Sequence, residues 1–227
     1  MKKTMREAFK ASIPIMMGYI VLSIAFGMLL ESKGYNVWYA ILMSVFIYAG
    51  SMQFVTIELL VAGASLINVA MMTLFVNARH IVYGLSMIDR FKNMGKYKPY
   101  MIFSLTDETY SLLVGLKTPE GCDEKQFQFF ISFFNQCYWI FGSIVGSLLG
   151  SMLSINTTGM DFAMTALFVV IVVEQFTSTK KHAYSYLGFG ISILCLILFG
   201  SDVFIIPSII GIMIGMTLMY KGGKVHA

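Results

Sequence analysis

The chain has 227 residues, of which 57% are hydrophobic, 15% aromatic and only 12% charged, with a mean hydropathy of +0.76. So few charges could not cover the surface of a soluble domain, and the apolar runs have the roughly 20-residue length of membrane-crossing helices rather than the short alternating segments of a barrel. The net charge of +4, from 16 Lys+Arg against 12 Asp+Glu, sits mostly in short loops, which reads as membrane topology and excludes a basic face for a nucleic-acid backbone.

Lys2, Lys3, Arg6 and Lys10 lead into a first apolar run over 11–30. The run is too long for a signal-peptide core and lacks a small-residue cleavage exit, so it is expected to stay as the first helix. It holds Pro14 and the small residues Gly18, Ser23, Ala25 and Gly27, which permit close helix approach in lipid. A loop at 31–36 precedes a second apolar segment, 37–61, which AGSMQF interrupts at 49–54 and which carries Glu58 near its end. Glycine, serine and glutamine together at mid-membrane predict local unwinding or a tight helix contact. The third apolar region, 64–87, is broken at Asn77, Ala78, Arg79 and His80.

Next comes 89–99, with Arg90, Lys92, Lys96 and Lys98, the strongest basic loop of the chain. The excess of basic residues in cytoplasmic loops places it, and the amino terminus, on the cytoplasmic side. An even number of crossings must then separate them, yet three apolar regions lie between. A re-entrant pair of half-helices meeting at 77–80 would satisfy the parity; a kinked single helix with one misassigned loop is the other solution. The segment 100–116 is barely long enough to cross and contains TDET at 106–109. A polar loop, 117–126, leads to 127–153, which ends in the small-residue ladder Gly142, Ser143, Gly146, Ser147 and Gly150. Apolar segments at 162–176, 184–200 and 203–220 follow, with Lys180, Lys181 and His182 after the first and Pro207 in the last. The expectation is an all-α integral membrane protein with about seven transmembrane or re-entrant helical segments, forming one transport domain over 1–227.

An internal repeat relates 5–98 to 126–220. GYIVLSIAFGMLL from Gly18 is similar to CYWIFGSIVGSLLG from Cys137, and each precedes a segment closing on Gln-Phe, WYAILMSVFIYAGSMQF and MDFAMTALFVVIVVEQF. Phe75 before Asn77 corresponds to Phe199 before Ser201 and Asp202. Repeats of this kind point to transporters built from two related halves with the substrate between them; chance similarity of apolar segments is the alternative. Loop charges do not decide whether the halves are parallel or inverted.

The stretch TLFVNARHIVYGLSM at 73–87 puts Asn77, Arg79 and His80 inside an apolar run, where a charge costs roughly 2.5–3.5 kcal/mol on insertion scales and so points to function. Arg79 either snorkels to the interface or takes a carboxylate with its planar fork. His80 is either a packed imidazole or a proton carrier. Asp107 and Glu108 are adjacent, so on a helix they diverge by about 100° and cannot both face one ligand. One is expected to face a cavity while the other caps or pairs with Arg79, and Thr106 is positioned to cap a half-helix. An arginine and carboxylates at depth suit the two charged ends of a zwitterion. Ser51, Gln53 and Tyr83 would complete the polar part of the site, and Phe, Leu and Met side chains would hold an aliphatic tail. Glu58, Asp161, Glu174 and Asp202 are single acids at or near segment ends, with interfacial placement expected. Cys122, Cys137 and Cys195 show no metal spacing, so neither a metal nor another cofactor is expected, and no nucleotide, serine-hydrolase or zinc-protease motif suggests an enzyme.

The segments FGMLL, YAGSMQF, VNARHIVYGLSM and FSLTDETYSLLVG, in this order and spacing, resemble the AzlC family, the large subunit of branched-chain amino-acid exporters, called YgaZ in enteric bacteria. The resemblance runs over nearly the whole chain. Its motif positions fall on Gly50, Ser51, Gln53 and Phe54; on Asn77, Arg79, His80, Tyr83 and Gly84; on Thr106, Asp107, Glu108 and Thr109; and on Asp161, with Ala78 where leucine is common. It implies a multi-pass protein of the bacterial plasma membrane that works with a small hydrophobic AzlD-type subunit and exports valine, leucine, isoleucine and in some members methionine. The expected mechanism is proton exchange, with Arg79 or a nearby helix amino end on the substrate carboxylate, Asp107 or Glu108 on its ammonium, and Asp107, Glu108 or His80 carrying the proton. The rival readings are a structural subunit of a transport complex and an ion channel.

Overall fold

A computed structural model of the chain describes residues 1–152, 162, 166, 169, 172–173, 176, 182–200 and 204–225. Asp161, Glu174, Lys180, Lys181, Ser201 and Asp202 lie outside the described residues. Every element among those described is helical, and the chain divides into two compact units, Met1–Met164 and Thr165–Ala227.

The first unit is built on two long apolar helices, α1 (Lys2–Ser32) and α7 (Glu124–Met152). They run side by side in the same direction: Lys3 donates to the Glu120 carbonyl at one end (2.8 Å) and Ser147 to the Glu31 carboxylate at the other (2.7 Å). Small residues let the backbones touch. A Cβ on Gly146 would overlap the Ile24 backbone, one on Gly27 the Ser143 carbonyl, and one on Gly142 the Ser23 hydroxyl. In lipid, where apolar burial gives little drive, such close approach is what holds helices together. α1 begins at Lys2 rather than at 11 because its first turns also pack, with Ala8 buried against Phe127 and Ile131 of α7.

Between α1 and α7 the chain makes two hairpins of half-helices. α2 (Val37–Leu42), capped by Asn36, widens into a π-helical turn over Met43–Ile47 and stops at Tyr48, whose φ of 42° and ψ of 47° are left-handed. α3 (Gly50–Val61) then returns, and Glu58 near its end reaches Lys33 just past the end of α1 at 3.8 Å. Both outer ends of this hairpin therefore lie at the carboxyl end of α1. Its tip lies at the middle of α7, where Gln136 donates to the Val45 carbonyl (3.2 Å) and a Cβ on Gly50 would meet the Trp139 ring at 3.0 Å.

α4 (Leu66–Lys92) leads back to the amino end of α1, where Arg90 pairs with Glu124 at 3.7 Å. Its two parts, Leu66–Leu74 and Arg79–Lys92, are inclined by 53°. α5 (Lys98–Phe103) and α6 (Asp107–Gly115) form the second hairpin, entering from the opposite end. Thr106 caps α6, its Oγ1 accepting from the Thr109 N–H at 3.3 Å, as its place before two acids predicts. The outer end of α6 is held by Arg90, which donates to the Leu113 carbonyl.

The segment 37–61 forms a hairpin with its break at Tyr48 and Ala49, while α4 bends between Leu74 and Arg79, the geometry of the kinked-helix solution. The segment 100–116 also folds back rather than crossing. α1 and α7 are long and apolar enough to cross a membrane, as is α4 when its bent halves are taken as one span. The amino terminus and the basic loop at 89–99 accordingly lie at the same end. In the second unit, α8 (Ala183–Phe199) and α9 (Ile205–Val225) pack at the glycines of α9: a Cβ on Gly211 would lie 2.8 Å from Ile191 and one on Gly215 3.0 Å from Leu187.

Candidate functional site

The two hairpin tips and the bend of α4 meet at one place, and Arg79 joins them. Its guanidinium makes an ion pair with Asp107 (Nη1 to Oδ2, 2.9 Å) and donates from Nη2 to the Ser51 hydroxyl at 2.7 Å. Ser51 is in the first turn of α3 and Asp107 is the first residue of α6. The arginine thus sits where two half-helices begin, each of which presents unpaired N–H groups and a partial positive charge. At the α6 end Thr106 Oγ1 answers one of them, accepting from the Thr109 N–H. At the α3 end the capping position is Ala49, which offers no side-chain acceptor. Arg79 and Asp107 side chains are only 26% and 14% exposed, so the arginine pairs inside the protein and does not snorkel.

Beside this junction lies a cavity of about 620 Å³, walled by Ile47, Tyr48 and Ala49 at the first tip, by α4 from Asn77 to Phe91, and by Lys98, Ile102, Phe103 and Leu105 of the second hairpin. Tyr48, Asn77, His80 and Lys98 are the polar residues of its lining. The His80 ring nitrogen Nδ1 lies 3.2 Å from the Asn77 carbonyl oxygen, and its ring meets Tyr83 edge-on at 6.0 Å. The Asn77 Oδ1 is buried without a hydrogen-bond donor.

Of the residues singled out from sequence, Ser51, Arg79 and Asp107 are brought into direct contact, and Asn77 and His80 line the adjoining cavity. Tyr83 stacks on Tyr110 at 4.6 Å beside Asp107. Glu108 turns away from Arg79, as adjacent helical residues must, and accepts from the Tyr19 hydroxyl at 2.8 Å. Gln53 is fully buried on another side of α3, donating to Ser44 at 3.3 Å in a chain that continues to Ser143, while its Oε1 is buried without a donor. Tyr19, Tyr48 and Asn135 are the site neighbours that sequence reasoning missed. Asn135, an amide inside an aromatic-rich apolar run, carried a usable signal; Tyr19 and Tyr48 did not.

The family model described as AzlC protein matches residues 14–153. The branched-chain amino acid transport protein AzlC of Bacillus subtilis is 42% identical over 216 residues, covering 95% of this chain and 85% of that one. An uncharacterized membrane protein of Helicobacter pylori is 47% identical over 219 residues, 96% of each chain. The inner membrane protein YgaZ of Escherichia coli is 30% identical over 180 residues, 76% of this chain and 74% of its own length. No solved structure matches significantly. The matched span takes in α1 from Pro14 on, both hairpins, the bent helix and α7, and with them every element that builds the Arg79 junction, and on these grounds the chain belongs to the AzlC family.

Proposed function

We propose that the chain is the large subunit of a secondary transporter that exports branched-chain and similar neutral amino acids across the plasma membrane in exchange for protons, together with a small AzlD-type subunit. On this reading the chain has about seven transmembrane or re-entrant segments, and the related halves 5–98 and 126–220 share the work of alternating access. The parallel run of α1 and α7, the leading helices of the two halves, supports a parallel relation between them. The Bacillus relative named for branched-chain amino acid transport supports the substrate class.

The observation that carries the reading is the position of Arg79 between two helix amino ends, next to a largely apolar cavity on the side of the basic loop. A neutral amino acid entering there presents an aliphatic side chain to Ile81, Ile88, Ile102 and Phe103, and a carboxylate to Arg79 and the uncapped start of α3. Arg79 then exchanges its contacts with Ser51 and Asp107 for the substrate, and Asp107, relieved of its partner, takes the ammonium. A charge-assisted hydrogen bond is worth about 1.5–3 kcal/mol, so exchanging one set for another is close to balanced, which a reversible carrier needs. Asn77 belongs to the polar wall and Tyr83 stands beside Asp107, with His80 as an alternative proton carrier.

The test is counterflow of labelled leucine in proteoliposomes holding this chain with and without the small subunit, at varied internal and external pH. Saturable, stereospecific exchange that follows the pH gradient and is lost in Arg79→Ala or Asp107→Asn supports the proposal. Normal export by correctly inserted Arg79→Ala protein overturns the site. Flux without saturation favours a channel, and exchange by the small subunit alone makes this chain a structural one.

A further inference from the structure

We propose that Glu108 and the oxygen groups around it form a separate site for the coupling cation, a proton or Na+, distinct from the Arg79–Asp107 pair. This rests on the transport reading for its purpose but on different residues for its chemistry. The Glu108 carboxylate accepts from the Tyr19 hydroxyl at 2.8 Å, and the same hydroxyl lies 2.6 Å from Thr106 Oγ1. Thr106 Oγ1 in turn donates to Thr109 Oγ1 at 3.0 Å, which also accepts from Asn135 Nδ2 at 3.0 Å. Three helices contribute, α1, α6 and α7, and Tyr19, Thr109 and Asn135 are each 3% exposed or less.

Two further groups mark the cluster as a site rather than a closed network. Asn135 Oδ1 is buried without a donor, and so is the Tyr48 hydroxyl, which lies toward Tyr19, Thr109 and Glu108 short of hydrogen-bond geometry. A buried acceptor left unmet is unfavourable, and a small cation among these oxygens would satisfy it. The donor set is all oxygen, with one carboxylate, which selects a hard ion or a proton over soft metals.

Among the described residues, the charged and titratable groups that face Glu108 are few. On α6 it adjoins Asp107; from α4 comes Arg79, paired with Asp107; from α1 and the first tip come Tyr19 and Tyr48. α7 contributes the uncharged Asn135. The groups that donate to the Glu108 carboxylate, the Tyr19 hydroxyl and its own backbone N–H, are neutral, and an ionised carboxylate at this depth gains from a cation. Because Glu108 and Asp107 share the first turn of α6, filling or emptying the cation site changes the charge beside Arg79. Substrate affinity must then respond to the cation, and by linkage cation affinity to the substrate.

The experiment uses the full chain in nanodiscs, alone and with the small subunit. Unfolding temperature and leucine affinity are measured across pH and with NaCl against choline chloride, for the wild type, Glu108→Gln and Tyr19→Phe. One cation should raise the wild-type unfolding temperature and shift leucine affinity severalfold. Glu108→Gln should abolish both responses, and Tyr19→Phe, which removes one hydroxyl and keeps the ring, should shift the midpoint to higher cation concentration. A pH response lost in Glu108→Gln identifies a proton, and a Na+ response lost there identifies Na+; either supports the site. Full retention of the cation response in Glu108→Gln overturns it. Cation stabilisation that Glu108→Gln removes, in a protein that binds no neutral amino acid, would leave the cation site standing and overturn the substrate reading alone. If Glu108→Gln does not fold, an unchanged midpoint in Tyr19→Phe overturns the site by itself.

Discussion

Breaking the Arg79–Asp107 pair from one side and from both sides should give different losses, and the difference measures how deeply the pair is buried. The charges meet at 2.9 Å with side chains 26% and 14% exposed. Removing one partner of a buried pair typically costs about 3–5 kcal/mol because the other charge is stranded. The remaining exposure lowers that figure, and a lone charge at the centre of a bilayer costs roughly 2.5–3.5 kcal/mol on insertion scales. Arg79→Gln and Asp107→Asn should therefore each cost about 3 kcal/mol, while the double variant strands no charge and should lose less than either single one. Equilibrium unfolding in mixed micelles, run as a double-mutant cycle, reads the coupling directly. Losses that simply add would refute the argument and return Arg79 to a snorkelling role. Export should fail in all three variants, since restored stability does not restore the positive charge a carboxylate needs.

The α1–α7 contact makes a sharper distinction between glycines than composition does. Gly146→Ala would drive a methyl into the Ile24 backbone and should cost about 1–3 kcal/mol or more by forcing the helices apart. Gly18→Ala meets nothing within 4 Å and should gain up to about 1 kcal/mol from helix propensity; thermal unfolding of the two in parallel checks the sign of each. Thr106→Ala removes the cap of α6 and a partner of Tyr19. It should cost about 0.5–2 kcal/mol and speed hydrogen exchange at the first amides of α6, a local change that an unaltered exchange profile would contradict.

Hydropathy and charge made much of this fold legible. The small-residue ladder of α7 was readable because only small side chains permit backbone contact in lipid, and Thr106 was readable because a threonine before two acids satisfies the start of a helix. The basic loops fixed which ends lie together. Hydropathy could not say which apolar region turns back, since it counts apolar residues and is blind to their direction. The break at Tyr48 carries no glycine of its own; Gly50 stands two residues later, inside α3. Gln53 looked like a site residue by type, yet one position on a helix decides whether an amide faces a cavity or Ser44. Tyr19 was hidden because tyrosine is ordinary in membrane helices and only the fold brings α6 to it.

Half-helices that begin at membrane depth must have their first N–H groups met by something. At α6 the chain supplies the answer itself through Thr106. At α3 the capping residue is Ala49, which has no acceptor, and the side chain that reaches the first turn is Arg79, a donor that cannot accept. The start of α3 is therefore short of an acceptor, at the edge of a cavity that Ala49 lines, and a substrate carboxylate is an acceptor of the right charge. Ala49→Asp tests this by building that carboxylate into the chain. The aspartate would cap α3, worth about 0.5–2 kcal/mol, and would pair with Arg79 in place of the substrate. The protein should become more stable to heat and lose leucine binding by at least about tenfold, which is the loss of roughly 1.4 kcal/mol of interaction. Ala49→Ser caps without a charge, so it should stabilise as well and weaken binding less. A folded Ala49→Asp protein that binds and exports leucine as before would show that the start of α3 is not where the carboxylate goes.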